Sequence, residues 1–425
     1  MPDQQIFDPL PVELMPDPTR TMIRPFLPED PTGFEQQVPR PQRIAERVAA
    51  LSDAQVAALC EAMEEPLAAR AANPEEVLLD RYRAACRRFD LPATDRARQV
   101  VIGGYFAQEY AFESAALFNP SIVRHHDQGG TAPDEARITL SLRGIGEGHI
   151  SSVTFRTGLW RPGGPLTIDP ADRRAVTPRI EEEDGDTIHF SWPPETDASA
   201  AVLFPATPSQ RQGIEDMRMT TFTDDDGSVR HFATYTAFSG SDARSEMLEM
   251  THLDRFTLRP LTGRCVQNKG MALFPRRIDG RFAMIGRLDN ENIWLMYSDD
   301  PYRWDKAEII VRPAFAWDLV QMGNCGSPIE LDEGWLLLTH GVGMIRSYSM
   351  GAVLLDKADP SKVLARTAEP LLSPSPEESG GYVPNVVYSC GALVEDRTML
   401  LPYAVADRYT AFGTAPVERI LAAMG

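Results

Sequence analysis

Apolar positions along the chain change their period twice. Residues 1–40 carry Pro and Asp at short intervals without a sustained apolar spacing, which predicts an extended arm. From residue 41 to about 90 the spacing turns helical. Ser52 with Gln55 forms a capping box ahead of AQVAALCEAM, where Val56, Leu59, Cys60 and Met63 share one face. Asn73-Pro74-Glu75-Glu76 starts a further helix: an Asn N-cap, Pro at the first helical position, and acids at the positive end of the dipole. Val77, Leu78, Tyr82 and Cys86 then keep a helical spacing. Such helices are too small to be an enzyme alone, so they are expected to pack on the main body or on another copy of the chain, a homo-oligomer through the N-terminal helices.

From about residue 99 the helical signal stops and a repeat takes over, weak in identity but regular in grammar. Each unit has a short apolar segment, a turn, and a returning strand rich in aliphatic and aromatic residues. Units start at Asn119, Glu215, Met271, Ser327 and Gly391. Their turns are hairpin chemistry: Asp226-Gly227, Asp279-Gly280, Glu333-Gly334 and Glu395-Asp396-Arg397-Thr398. A third strand follows each hairpin, as in HISSVTFRTG, NIWLMYSDD and SMGAVLLDK. The steps from Glu215 to Met271 and from Met271 to Ser327 are both 56 residues. Five four-stranded units of this kind predict an all-β fold, a five-bladed β-propeller over 99–425, with an N-terminal arm and helices over 1–98. A Greek-key sandwich competes, but a sandwich has no reason to repeat. Residues 160–212, rich in Pro, Asp and Glu, are expected to hold the outer strands of the first unit and an excursion.

Composition narrows the partners. Against 42 basic side chains stand 61 acidic ones, a net charge of −19 over 425 residues. That balance disfavours nucleic acid and anionic membrane surfaces, which need clustered Lys and Arg. The five cysteines form no C-x-x-C pair, the amino terminus has no charged or apolar leader pattern, and no apolar run approaches a membrane span. A soluble, thiol-reduced, cytoplasmic protein is the expectation.

Standard catalytic motifs are absent, and Gly144-Ile145-Gly146-Glu147-Gly148 lies between strands, where a tight turn is the better reading than a nucleotide loop. His125-His126 reads as surface histidine. More informative are polar residues at otherwise apolar strand starts, because inner strands of a propeller line its channel. These are Asn119, Glu215-Asp216, Asn268-Lys269, Asn324 and Asn385, with Asp407 late in the last unit. Strand alternation allows only one of Glu215 and Asp216 to face a site.

Several stretches occur in a familiar order: Asn119-Pro120; LSLRG ending at Arg143-Gly144; Gly213-Ile214-Glu215-Asp216-Met217-Arg218; KGMALFPRRIDG from Lys269; NIWLMYSDD from Asn292; Thr339-His340-Gly341-Val342; GAVLLD from Gly351 with Asp359-Pro360-Ser361-Lys362; and Gly381-Tyr382-Val383-Pro384-Asn385-Val386. Together, over roughly residues 100–420, they resemble glycoside hydrolase family 130, the β-mannoside phosphorylases and β-mannosidases. The resemblance implies a five-bladed propeller and single-displacement, inverting attack on a β-mannosidic bond. It implies Asp216 as general acid, relayed through a sugar hydroxyl, although Met217 stands where the family has Pro. An acid in that role has to stay protonated near neutral pH, which calls for burial or a neighbouring anion. Asn119 and Asp407 would hold the −1 mannose, with Asn385 as a further substrate contact.

The nucleophile decides the reaction. Phosphorylases of the family cradle inorganic phosphate with two Arg, a Lys and usually a His and a Tyr. Arg143 and Lys269 match the first Arg and the Lys; His149 stands where the second Arg is usual; His340 and Tyr348 are candidates for the others. The family's M-L-H-R pattern reads Met284-Ile285-Gly286-Arg287 here. Hydrolases of the family place carboxylates where phosphorylases place bases, so Glu147 is the candidate base of an alternative, hydrolytic reaction. The expected function is phosphorolysis of a β-mannoside oligosaccharide to α-mannose 1-phosphate, with inorganic phosphate as co-substrate and no metal or other cofactor.

Overall fold

The computed structural model describes residues 5–68, 70, 73–252, 254–375, 381 and 383–425. Two units are distinguished: Pro18–Phe112 with Asp172–Val176, and Met1–Asp17 with Glu113–Ala171 and Thr177–Gly425.

The smaller unit holds helices Arg40–Ala49, Asp53–Ala68, Pro74–Cys86 and Arg96–Tyr105, with strands Thr21–Pro25 and Ala107–Ala111 paired antiparallel. The capping box forms: the Ser52 amide donates to Gln55 Oε1 at 3.0 Å, and the Gln55 amide to Ser52 Oγ at 3.4 Å. Asn73 Oδ1 accepts the Glu76 amide at 3.4 Å. The fourth helix runs through residues where strand grammar was expected to begin. Val100, Val101 and Ile102 favour strand locally, but Asp95 caps the helix by accepting the Arg98 amide at 3.0 Å. Gly103 then permits a crossing so close that a Cβ there would lie 2.0 Å from the Leu78 carbonyl oxygen. Packing of Val101, Ile102 and Phe106 against Ala45, Val48, Val56 and Ala85 overrides the local preference.

The larger unit is all-β apart from short helical turns and a C-terminal helix, Val417–Ala422. Its strands form five antiparallel meanders in chain order. Their first and second strands are Ala116–Arg124 and Ala136–Ile145, Gly213–Thr223 and Val229–Phe238, Ala272–Leu273 and Phe282–Gly286, Gln321–Asn324 and Trp335–Val342, and Val387–Tyr388 and Thr398–Val405. The third strands are Ser151–Trp160, Ala243–His252, Ile293–Ser298, Tyr348–Leu355 and Tyr409–Pro416. A parallel bridge between Gly213 and Ser151 joins the first two meanders into an eleven-stranded sheet. The predicted hairpin turns are present. Asp396 and Arg397 have φ of 47° and 56°, and Asp279 and Gly280 of 50° and 70°, the backbone that two-residue loops require.

The arm holds a strand that was not expected, and residues 160–212 hold more than the expected outer strand of the first unit. Asp8–Leu14 is a strand that pairs with Tyr409–Pro416 and supplies the fourth strand of the last meander. Its Leu10, Val12 and Leu14 alternate onto a core with Leu400 and Phe412, while Phe7 enters a second core with Leu401, Ala411 and Ala415. Pro9 and Pro11 hid this strand, yet proline is tolerated on a sheet edge, where its missing N–H costs nothing. Within 160–212, Leu166–Ile168 completes the first meander, and the hairpin Arg179–Asp184/Thr187–Ser191 adds to the outer edge of the second.

Among the described residues no helix is long and apolar enough to cross a membrane, and all five cysteines are free thiols. Phe7, 5 % exposed, pins the N-terminal strand. Phe7→Ala is expected to lower unfolding free energy by about 3 kcal/mol, read as a lower urea midpoint at unchanged slope; an unmoved midpoint would place that strand outside the cooperative core.

Candidate active site

Contacts at the strand starts draw all five meanders together. The Leu117 amide donates to Arg408 O at 2.8 Å, and Thr410 Oγ1 to Leu117 O at 3.1 Å, which sets Asp407 beside the strand of Asn119. The Tyr348 amide donates to Asn385 O, and the Ala406 amide to Val386 O. Asn119 Nδ2 donates to Asp216 Oδ1 at 2.7 Å across 97 residues of sequence. Arg218 donates to three acceptors: Asp216 O at 2.7 Å, Cys325 O at 2.9 Å and the Tyr388 hydroxyl at 2.6 Å. Arg287 NH1 donates to His340 Nε2 at 3.1 Å.

Local backbone explains how the strands aim these groups. The first meander's ladder slips between Phe118 and Ser121, and the second's between Glu215 and Arg218. The bulged residues are Asn119 (φ 47°) and Asp216 (φ 50°), and Asn385 (φ 60°) and Asp407 (φ 49°) share that left-handed conformation. Asn and Asp enter this region more readily than other non-glycine residues, and such strain concentrates at functional sites. The bulge also overturns the expectation that only one of Glu215 and Asp216 faces the site. Arg143 donates to Glu215 Oε1 at 2.7 Å and to Asp216 Oδ1 at 3.2 Å, because an inserted residue breaks the two-residue alternation.

Charge sets the protonation states. Burial pushes the Asp216 carboxyl up, but Arg143, Lys269 and Arg218, with the Asn119 amide, outweigh it and hold the group well below the usual carboxylate range. The expected protonated acid is therefore an ionised carboxylate in the free protein, since its charged neighbours are mainly cations. Asp407 goes the other way: burial and then the Asp216 charge raise it to about 6, against the pull of Arg143, Arg346 and Lys269. His340, buried and facing Arg287 and Arg218, is held well below its ordinary value and is neutral. Its ring stacks on Tyr348 at 6.0 Å and meets the edge of Tyr388 at 5.0 Å. It thus orients Arg287 rather than adding a positive charge.

Lys269 reaches Glu215 Oε2 at 3.4 Å, and the neighbouring Asn268 amide group donates to Leu288 O at 3.1 Å. Asn324 is buried on the fourth meander. Glu147 and His149 lie exposed on the turn between Ala136–Ile145 and Ser151–Trp160. Tyr382 of the Gly381–Val386 stretch lies outside the described residues. Sequence reasoning gave no role to Arg218, Arg287, Tyr388 or Arg346. Arg218 and Arg287 stood in the quoted motifs, but only their inward direction marks them. Asn119 Oδ1, Arg143 Nε, Arg287 Nε and Asn324 Oδ1 are buried and have no partner among the described residues. The unmet guanidinium N–H groups suit an anion and the unmet amide oxygens suit hydroxyl donors. Among the described residues no group of His, Cys, Asp and Glu has the arrangement of a metal site.

The sequence profile described as β-1,4-mannooligosaccharide phosphorylase, glycoside hydrolase family 130, matches residues 182–425. A 1,2-β-oligomannan phosphorylase of Thermoanaerobacter sp. (strain X514) is 42 % identical over 153 residues, 36 % of this chain and 51 % of that protein. The chain thus spans about half the length of that relative. A β-1,2-mannobiose phosphorylase of the same organism is 36 % identical over 224 residues, 51 % of this chain and 71 % of that one. The solved β-1,2-mannobiose phosphorylase from Listeria innocua, in complex with β-1,2-mannobiose, aligns with a TM-score of 0.51 at 22 % identity, covering 74 % of this chain and 93 % of that one, a likeness of fold. With a profile match over more than half its length, and with that match containing Asp216, Arg218, Lys269, Arg287, His340 and Asp407, the chain belongs to glycoside hydrolase family 130.

Proposed function

We propose that this protein is an inverting β-mannoside phosphorylase whose five meanders are the blades of a β-propeller, the strand Asp8–Leu14 completing the last. The observation that carries the reading is a buried carboxylate, Asp216, among Arg143, Lys269 and Arg218, with unmet polar atoms around it. Arg143 and Lys269 would hold inorganic phosphate, joined by Arg287, which the neutral His340 orients. Tyr348 backs His340. Asn119, Asn385 and Asp407 would bind hydroxyls of the −1 mannose, their left-handed backbone aiming them inward. A phosphate oxygen attacks the anomeric carbon from the face opposite the aglycone. The C–O bond breaks, its electrons pass to the leaving oxygen, and that oxygen takes the proton of a sugar hydroxyl, which the Asp216 proton replaces. The products are α-mannose 1-phosphate and the shortened sugar.

Asp216 acquires that proton by charge compensation. Burial is the largest single influence on it and raises its pKa, and in the free protein Arg143, Lys269 and Arg218 together outweigh it even with Glu215 on two of them. A phosphate dianion on Arg143 and Lys269 carries more negative charge than the Glu215 carboxylate it meets there, which shifts the balance toward burial and raises the Asp216 pKa. The base expected for the alternative, hydrolytic reaction, Glu147, stands on an exposed turn. A phosphate-rich compartment with reduced thiols, the cytoplasm, suits this chemistry and the five free cysteines.

Incubation of β-1,2- and β-1,4-mannobiose with and without phosphate is expected to yield mannose 1-phosphate only when phosphate is present; equal release of free mannose without it rejects the reading. Asp216→Asn is expected to lower kcat/KM by roughly 10³-fold, measured on the preferred mannobiose.

Asp407 gives a stability prediction with opposite cost. Its folded pKa of about 6 lies above the ordinary 3.8, so the native state binds the extra proton and stability falls as pH rises through that window. Asp407→Asn is expected to stabilise the protein by about 1–2 kcal/mol at pH 8, a gain that vanishes below about pH 4, while mannoside turnover is lost. Urea unfolding at the two pH values checks it.

A further inference from the structure

Glu215 occupies the cations that the phosphorolytic reading gives to phosphate. Its Oε1 accepts from Arg143 NH2 at 2.7 Å and its Oε2 from Lys269 Nζ at 3.4 Å, so one carboxylate bridges a guanidinium and an ammonium. The arrangement is built rather than accidental. The bulge at Asp216 turns Glu215 inward beside its neighbour, and the side chain is only 14 % exposed. Asp216 does not need Glu215 as a support, because Asn119 and Arg143 already serve its Oδ1. What Glu215 does is supply the negative charge that two close cations lack in an empty site. An arriving phosphate makes the same demand on the same nitrogens, and its charge repels the carboxylate at short range.

We propose that Glu215 is a resident counter-ion that sits in the anion seat of the free enzyme and that inorganic phosphate must displace, which makes it the residue that sets phosphate affinity. The inference rests on the phosphorylase reading. Displacement selects for a dianion: a monoanion offers Arg143 and Lys269 no more charge than Glu215 already does, whereas phosphate near neutral pH does. Lys269, whose side chain is 41 % exposed, is free to follow the incoming anion. Arg143, held by Asp216, keeps the seat in register.

The test is calorimetric titration of phosphate, and of sulfate as its unreactive counterpart, into the free wild-type protein and Glu215→Gln, together with KM for phosphate and for the mannobiose measured separately. Glu215→Gln is expected to bind phosphate about tenfold more tightly, with KM for phosphate falling and KM for the mannobiose unchanged. Unchanged or weaker phosphate binding by the variant overturns the proposal, since a residue that merely positions the cations would weaken binding when removed. If Glu215→Gln does not fold, Glu215→Asp, too short to bridge both cations, is expected to show a smaller tightening. A crystal of the wild-type enzyme with phosphate is expected to show Glu215 withdrawn from Arg143 or Lys269; phosphate bound with both contacts intact overturns the proposal. Failure of the phosphorylase reading shows differently, as wild-type turnover that does not depend on phosphate, while the titrations report on Glu215 in either case.

Discussion

A buried guanidinium holds the bulge on which the site depends. Arg218, 3 % exposed, donates to the carbonyl of Asp216, to the carbonyl of Cys325 on the fourth meander's side and to the hydroxyl of Tyr388 on the fifth. A charge so deep is tolerable only because these acceptors and the Asp216 carboxylate answer it. The same contact fixes Asp216 in a left-handed conformation that a free strand would abandon. Once Asp216 is turned, Asn119 and Arg143 reach its Oδ1, and Glu215 comes round to Arg143. Each later feature of the site, from the ionised acid to the bridged cations, follows from that one backbone distortion.

The charge distribution then acquires a sense that the total conceals. A chain of net charge −19 gathers Arg143, Arg218, Lys269 and Arg287 around a small region at its strand starts. An acidic surface and a cationic cluster are compatible because exposed charges are screened within about 10 Å at ordinary salt, whereas the buried Arg218 and Arg287 are screened much less. Within that cluster two of the three carboxylates are driven apart: Asp216 lies low among cations, while Asp407 rises to about 6 because it is buried beside Asp216's charge.

Much of the framework was legible beforehand, and for a common reason. The Ser52–Gln55 box, the Asn73 cap and the Asp279-Gly280 and Asp396-Arg397 turns are settled by residues within four positions of one another. The helix Arg96–Tyr105 was missed because its β-branched run points to strand, and packing against Ala45, Val48, Val56 and Ala85, with a close crossing at Leu78, reverses that. The strand Asp8–Leu14 was missed because its prolines suggest a loop, and only its partner four hundred residues away makes it a sheet edge.

The sequence by itself determined the repeat, the hairpins, the caps and which polar residues interrupt apolar strands, because each is a matter of neighbours along the chain. The tertiary structure alone decided that Glu215 and Asp216 face one cation together, that Asp216 is ionised in the free protein, and that Arg287 leans on a neutral His340. Those outcomes depend on distances between groups 50 to 170 residues apart and on their removal from water. Neither quantity is written in local spacing, because a bulge shifts every side chain beyond it and burial is conferred by strands from other meanders.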